Sequence, residues 1–299
     1  MALFGIDLGG TKLEGIVLES RNNPVPLCRL RISTEADKGY AHIISRVVTM
    51  RNMLEQESAQ KATYLGIGHP GTLDPNTCVI KNANTTVLNG QPFNADLEEA
   101  LGIPVRLAND ANCFAVAEAL MGAVPDAVPN ASVVFGVIMG TGVGGGWVLH
   151  GKVHNGRQGI GGEWGHNFLD NSGGPCYCGK TGCVEKVISG PALEKYYFGL
   201  CGENRPLREI VALAETGLDT AAQQTIDRLL HFFGKAMAAV INMMDPDAII
   251  LGGGVGNIDR LYSDGPTEVQ KHLFNPRIDT LFLRPKLGDS AGVFGAALL

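Results

Sequence analysis

Gly5-Ile6-Asp7-Leu8-Gly9-Gly10-Thr11-Lys12 is the stretch on which the fold turns. From Leu3 to Asp7 the chain is apolar without helical spacing, which predicts a short buried strand, and Lys12 to Glu19 predicts a second one after a Gly9-Gly10 turn. The unit is a β-hairpin with glycine at its tip. Two adjacent glycines let backbone N–H groups approach a phosphate closely, Thr11 adds a hydroxyl, Lys12 a cation, and Asp7 a carboxylate able to hold a magnesium-bound water. Neither the P-loop pattern nor the dinucleotide fingerprint is present. Taken alone, the segment equally describes a tight hairpin turn with glycines at positive φ.

Outward from this hairpin, Ala41 to Ser58 places Ile43, Ile44, Val47, Val48 and Leu54 at helical spacing, and Tyr64 to Gly68 returns to strand. The alternation of strand and helix predicts an α/β protein. Val133 to Met139 reads as a strand, Gly140 to Gly146 as a glycine-rich turn and Trp147 to Leu149 as a strand, repeating the N-terminal organisation, so an internally duplicated fold is expected. The second turn, Gly140-Thr141-Gly142-Val143-Gly144, has the same glycine and hydroxyl chemistry as the first. A third, Gly252 to Gly254, follows a long helix (Ala221 to Met244), Pro246 and the strand Ala248 to Leu251. Gly253 and Gly254 would let a purine and its ribose lie on bare backbone; a plain strand-to-helix turn is the alternative. Three such turns favour phosphate binding over hairpins alone. Ala291 to Leu299 reads as a terminal helix, and Pro125, Pro129 and Asn130 punctuate the chain where one lobe would end and the next begin.

The bulk properties narrow the partners. At 299 residues the chain exceeds the usual single compact domain, so two lobes with a cleft between them are expected. Lys plus Arg total 24 against 30 Asp plus Glu, net −6, and no basic run follows a phosphate backbone, which argues against nucleic acid. The N-terminus lacks a basic stretch and Asp7 interrupts its apolar residues, unlike a signal peptide. The stretch Val133 to Leu149 falls short of the roughly 20 apolar residues of a membrane helix. Of seven cysteines, Cys176, Cys178 and Cys183 crowd together, which favours metal over disulfides and a reducing, cytoplasmic setting.

Two constellations carry chemistry. Leu107-Ala108-Asn109-Asp110-Ala111-Asn112 leaves a strand and enters the helical stretch Cys113 to Leu120, so Asn109 and Asp110 lie at an element end, where catalytic groups gather. An unaccompanied Asn-Asp pair reads first as a helix N-cap. Beside phosphate-binding turns, Asp110 is a candidate base to take a proton from a phosphoryl acceptor. His166, Cys176, Cys178 and Cys183 supply one imidazole and three thiols, a closed tetrahedral set for a structural zinc, with Gly179 and Gly182 letting the backbone wrap the ion. Glu163 and Glu185 flank the cluster as candidate sugar-binding carboxylates.

Together, Asp7-Leu8-Gly9-Gly10-Thr11-Lys12, Gly66-Ile67-Gly68-His69-Pro70-Gly71, Asn109-Asp110, Gly140 to Gly144, Glu163-Trp164-Gly165-His166, Cys176 to Glu185 and Gly252 to Gly254 resemble the ROK family (repressors, open reading frames, sugar kinases) across nearly the whole chain. The resemblance implies a two-lobed actin-like ATPase (ribonuclease H-like) fold, with duplicated βββαβα-type cores and an interlobe cleft. The lobes would be 1–122 and 123–287, with a helix at about 288–299 returning to the first. It further implies ATP-dependent phosphorylation of a hexose, with Asp110 as base for the 6-hydroxyl and Asn84, Asn109, Glu163, His166 and Glu185 binding the sugar. Asp7 and the turns at 9–12 and 140–144 would hold magnesium and ATP phosphates, and Gly253 and Gly254 the adenosine. His166 would serve zinc and sugar together, and a homodimer is expected. His69 departs from the apolar residue many relatives carry before Pro-Gly. Lys81-Asn82-Ala83-Asn84 and Leu88-Asn89-Gly90-Gln91-Pro92-Phe93 look more like the fructokinase or mannokinase branch than the N-acetylglucosamine kinases, which favours fructose. The repressors of the family carry a DNA-reading domain ahead of the kinase-like body, and with the first turn opening at Gly5 that role is not expected here.

Overall fold

In β1 (Leu3–Leu8) successive side chains alternate between two faces, and both faces are covered. Phe4, Ile6 and Leu8 enter the core built with α1 (Tyr40–Ser58), whose buried stripe Ile43, Val47, Met50 and Leu54 follows the helical period. Leu3 enters the core built with the last helix, α12 (Ala291–Leu298). The computed structural model describes residues 1–299, apart from the side chain of Asp289.

Two sheets repeat one plan. In the first, β2 (Lys12–Leu18) and β3 (Pro26–Ser33) extend β1 antiparallel, while β4 (Leu65–His69) and β7 (Val105–Asn109) extend it parallel, in the order β3-β2-β1-β4-β7. A short ribbon, β5 (Thr72–Leu73) with β6 (Ile80–Lys81), interrupts the run, and α2 (Phe93–Leu101) leads into β7. The second sheet has the order β10-β9-β8-β11-β12, from β8 (Val133–Met139), β9 (Val143–Leu149), β10 (Lys152–Val153), β11 (Ala248–Gly252) and β12 (Leu281–Leu283). The expected α/β duplication is therefore present. After β7 come α3 (Asp110–Leu120) and α4 (Ala123–Ala127); between β10 and β11 lie α5 (Glu185–Ile188), α6 (Gly190–Cys201), α7 (Leu207–Thr216) and α8 (Thr220–Met244). After β11 come α9 (Gly253–Gly256), α10 (Arg260–Ser263) and α11 (Gly265–Gln270). Among the described residues no helix is long and apolar enough to cross a membrane.

The chain divides into two compact units: unit 1 holds Met1–Pro125, Gly146–Gly161 and Lys286–Leu299, and unit 2 holds Asp126–Gly145 and Gly162–Pro285. Residues 146–161 thus pack in unit 1, whereas the sequence pattern assigns all of 123–287 to the second lobe. The cause is close backbone packing, because a Cβ on Gly146 would lie 2.7 Å from the Ala111 carbonyl oxygen. The glycine-rich turn is also shorter than its composition suggests. Gly144 to Gly146 belong to β9, and a Cβ on Gly145 would strike Phe135 and Trp164 at 2.7 Å.

The terminal helix docks on unit 1 through bare backbone. A Cβ on Gly5 would meet Ala297 N at 2.4 Å, and one on Gly66 would meet the Ala296 oxygen at 1.8 Å. On the helix itself, a Cβ on Gly295 would meet the Cys113 oxygen at 1.8 Å. The chain entering α12 is held by the buried carboxylate of Glu118, which accepts N–H bonds from Ala123 (2.9 Å), Lys286 (3.0 Å) and Leu287 (2.8 Å).

Candidate functional site

Asn109 ends β7 and caps α3: its Oδ1 accepts the Asn112 N–H at 2.7 Å, the role its residue type favours. Asp110 is the first residue of the helix and accepts the Ala111 N–H at 2.8 Å. The cap is therefore Asn109, and the Asp110 carboxylate is not the capping group. Asp110 remains accessible to water, yet the protein around it raises its pKa through desolvation, opposed by its bonds to the Ala111 and own N–H groups. Asp7, at the end of β1 on the face turned to α12, is raised to about 6 by burial and then by the charges of Asp110 and Glu14, with Lys12 opposing. A buried carboxylate raised further by the charges of neighbouring carboxylates is a place where a cation is stabilised. A Cβ on Gly292 would lie 2.9 Å from Asp7 Oδ2, so glycine at the start of α12 makes room for that carboxylate.

The glycine turns separate into two kinds. The first, Gly9 to Thr11, is closed by Gly9 N–H to Lys12 O at 2.9 Å and pinned by buried Thr34, whose hydroxyl donates to Gly9 O at 2.7 Å. Neither Gly9 nor Gly10 has positive φ, so the hairpin does not need glycine for its backbone angles. Gly10, Gly140 and Gly254 share negative φ and no close neighbour: a Cβ would meet only Thr85 Oγ1 at 3.6 Å at Gly10 and nothing within 4 Å at the other two. Glycine there leaves backbone open to an approaching group. Gly253 is different, with φ +79 and a Cβ that would lie 2.3 Å from Met139 O, so its glycine is required by packing and its expected contact with adenosine is not what fixes the residue type.

The second turn is fastened within unit 2. Glu185 Oε2 accepts the Val143 N–H at 3.1 Å, Trp164 Nε1 donates to Gly144 O at 3.0 Å, and Gly190 N–H donates to Gly140 O at 2.9 Å. A Cβ on Gly165 would lie 1.9 Å from Val143 O, and one on Gly142 2.6 Å from Glu185 Oε2. Glu163, immediately before Trp164, and Thr141 at the exposed tip of the turn are carried by this arrangement.

His166, Cys176, Cys178 and Cys183 come together as the spacing predicts, with ligand atoms all within 4.8 Å of one another. Cys176 Sγ lies 3.7 Å from His166 Nδ1, and Cys178 Sγ lies 3.5 Å from Cys183 Sγ. Zinc bonds of about 2.3 Å to sulfur and 2.0–2.1 Å to nitrogen give tetrahedral edges of about 3.8 and 3.6 Å, so the donors fit that ion. Gly179 and Gly182 have φ +84 and +75, the left-handed turns that wrap the loop. Burial and the neighbouring thiols push Cys183 up to about 12, a cost that a cation removes. His166 Nε2 pairs with the exposed Tyr177 hydroxyl at 2.9 Å, so the nitrogen that would reach a sugar already has a partner.

Around Asn84 the structure shows more than the pattern does. Asn84 is exposed in a turn clamped by Asn89, whose Oδ1 accepts Ala83 N–H at 2.8 Å and whose Nδ2 donates to Ala83 O at 2.9 Å. The Asn-Gly pair at 89–90 signals a turn, though not this clamp. A cavity of about 150 Å³ in unit 1 is lined by the amides of Asn109, Asn112 and Asn155 together with His69, Leu73 and Pro75. Asn112 Nδ2 donates to Asn155 Oδ1 at 3.3 Å, while Asn112 Oδ1 is buried with no hydrogen-bond partner among the described residues. His69 is 1% exposed, bonded through Nδ1 to Pro70 O at 3.0 Å, and burial lowers its pKa to about 4.

A family model described as the ROK family matches residues 3–299. The N-acetyl-D-glucosamine kinase of Vibrio cholerae serotype O1 is 33% identical over 306 residues, spanning 99% of this chain and 98% of its own. A ROK hexokinase from Thermus thermophilus has a structure similar at TM-score 0.87 and 32% identity, covering 100% of this chain and 97% of that one. A ROK family glucokinase from Streptomyces griseus, solved in complex with glucose and AMPPNP, is similar at TM-score 0.75 and 26% identity, covering 99% and 98%.

Proposed function

Because the chain belongs to the ROK family, with its actin-like ATPase fold, we propose that it transfers the γ-phosphoryl group of ATP to the 6-hydroxyl of a hexose. The observation that carries this reading is Asp110: a water-accessible carboxylate on the first turn of α3, its pKa raised by desolvation, and close enough to Asp7 for its charge to raise that carboxyl in turn. Asp110 accepts the proton of the 6-hydroxyl as the oxygen attacks phosphorus. Asn109, its Oδ1 committed to the cap, offers Nδ2 to the sugar, and Asn84 is presented by the Asn89 clamp. Asp7 and Lys12 carry the first turn's charged groups, and magnesium bound near Asp7 would neutralise charge on the phosphates.

In unit 2 the proposed contacts are Glu163, His166 and Glu185 for sugar hydroxyls, and the open backbone at Gly140, Thr141 and Gly254 for nucleotide. His166, Cys176, Cys178 and Cys183 would hold a structural zinc, which supplies no open position for water and orders the loop bearing the sugar contacts. His166 can donate to a sugar only through Nε2–H, in exchange for Tyr177.

For the acceptor, the 33% identity to an N-acetyl-D-glucosamine kinase over 99% of this chain favours N-acetyl-D-glucosamine over fructose. The cavity supports this. An acetamido group brings an amide to pair with Asn112 or Asn155 and a methyl to lie on Leu73 and Pro75, whereas fructose brings no amide.

An ATP-coupled assay across N-acetyl-D-glucosamine, glucose, mannose and fructose tests the reading. The expected order puts N-acetyl-D-glucosamine first in kcat/KM, and fructose in first place would restore the preference drawn from residues 81–93. Asp110→Asn should lower kcat by about 10²–10⁴ with KM little changed. Undiminished kcat in that variant sinks the base assignment.

A further inference from the structure

Unit 2 contains a second cavity, of about 310 Å³, whose walls come from the turn at 171–173, α5, α6 and α8. Its lining carries Lys186, Lys195 and Arg228, with the hydroxyl-bearing Ser172 and Tyr196. Among the described residues none of these three cations has a carboxylate oxygen within 4.0 Å of its nitrogens. Asp170 is near enough to affect Arg228 electrostatically, but its Oδ1 already accepts the Ser172 N–H at 2.9 Å.

Arg228 is fixed in place. Its NH1 donates to Val187 O at 2.8 Å, its NH2 to Ser172 Oγ at 2.8 Å, and its guanidinium stacks on the rings of Tyr196 (4.6 Å) and Phe232 (4.7 Å). A guanidinium has five N–H groups, so donors remain for a ligand. The opening has a second, independent sign. Gly199 lies inside α6 with no positive φ and nothing within 4 Å of a Cβ built on it, although glycine inside a helix costs about 1 kcal/mol relative to alanine. Nothing in the fold requires glycine there, and it lines the cavity.

From this cavity we infer a binding site for a phosphorylated monosaccharide, its phosphate held by Lys186, Lys195 and Arg228 and its hydroxyls by Ser172 and Tyr196. The volume is near the lower end of small-ligand pockets, about 300–1,000 Å³, which suits a sugar phosphate better than a dinucleotide. The site also joins the elements that matter to the proposed reaction. Lys186 follows Glu185 in α5, and a Cβ on Gly173 would touch Val187 Cγ2 at 2.9 Å, so the zinc loop and α5 are already in close packing. A ligand gripping Ser172 and Lys186 on one side and Lys195 and Arg228 on the other ties that loop to α6 and α8. The reaction's own product has this chemistry, and in that respect the inference rests on the kinase reading.

Isothermal titration calorimetry of the full chain with glucose 6-phosphate, in saturating N-acetyl-D-glucosamine to fill any acceptor site, tests it. One saturable site is expected, weakened more than tenfold by Lys195→Glu and by Gly199→Leu, which fills the cavity without changing charge. Both variants should keep the basal kcat/KM, and bound glucose 6-phosphate should slow hydrogen exchange in residues 171–188. Heats unchanged in both variants, or inorganic phosphate binding as tightly as glucose 6-phosphate, would overturn the assignment. The two readings fail separately: ATP turnover without this binding removes the second site, and this binding without ATP turnover removes the kinase.

Discussion

Asp7 and His69 are two ionisable side chains whose burial acts on stability in opposite directions. Asp7 has a folded pKa of about 6 against 3.8, so between those values the folded chain keeps a proton that the unfolded chain has released. Stability therefore falls as pH rises from about 4 to 6, by about 3 kcal/mol in all, and the cost persists at neutral pH. His69 has a folded pKa of about 4 against 6.5, so on acidification the unfolded chain is protonated first, and stability falls by about 3 kcal/mol as pH drops from 6.5 to 4. The two effects offset between pH 6 and 4. Asp7→Asn removes one of them. Without magnesium and nucleotide this variant should be more stable than the parent at pH 7, by about 1–3 kcal/mol, and should lose that advantage towards pH 4. Urea melts at pH 7, 5.5 and 4.5 read this directly; a variant less stable than the parent at pH 7 would show that Asp7 is compensated in the folded chain. Tyr177 gives a second test at this scale. If its hydroxyl competes with a sugar for His166 Nε2, Tyr177→Phe should lower the KM for the acceptor by about two- to tenfold, the equivalent of one hydrogen bond, with zinc content unchanged. A raised KM would mean instead that the hydroxyl helps orient the ring.

The element that depends most on a single interaction is the loop from Glu163 to Ile188, which has short 3-10 turns, a pair of isolated β-bridges and little regular structure before α5. A tetrahedral metal would replace the apolar core such a segment lacks, since structural zinc sites in small domains contribute binding free energy of about 10–16 kcal/mol to folding. Cys178→Ser should therefore lose zinc by atomic absorption, speed hydrogen exchange across residues 163–188 and raise the acceptor KM. Full zinc content with unchanged exchange would show the loop to be self-supporting. How far such elements are legible in the sequence differs in kind. The strands β1, β2, β8 and β11 and helices α1 and α8 announce themselves through period and punctuation. The Cys₃His set was readable because four ligand types in a short span have few other uses. Less legible is β3, with polar residues on one face and its register set by Glu14 pairing with Arg29 and Arg31 across strands. The cavity beside Asn109 and the cationic cavity of α5, α6 and α8 were invisible, because each draws residues from distant parts of the chain and no local spacing records them. The glycines show the same divide: the sequence marks Gly253 and Gly254 alike, and only the structure shows one filled by Met139 and the other open.

At the scale of the whole chain, unit 1 is assembled from three separated segments, and its last piece, Lys286–Leu299, follows all of unit 2 in the sequence. Until α12 arrives, one face of β1 and β2 is bare: Leu3, Ile16 and Leu18 share their core with Val293, Ala297 and Leu298. The bare-backbone approach at Gly5, Gly66 and Gly295 leaves no room for a substitute, so α12 cannot be replaced by a loosely packed neighbour. Glu118 would also keep only one of its three backbone partners, Ala123, and a buried carboxylate stripped of its bonds is costly by about 1–3 kcal/mol or more. Removal of residues 286–299 should therefore cost unit 1 its cooperative fold, while unit 2, complete by Pro285, keeps its own contacts, the Cys₃His cluster among them. In the truncated chain zinc should stay bound, hydrogen exchange should become fast in residues 3–18 and 105–120, and phosphorylation should vanish with Asp7 and Asp110 no longer positioned. The milder variant Gly295→Val tests the same dependence in a full-length chain. Its side chain would press on the Cys113 carbonyl and should lower the melting temperature without altering zinc content. If the truncated chain kept slow exchange in residues 3–18, α12 would be an addition to an already stable unit rather than its closing element.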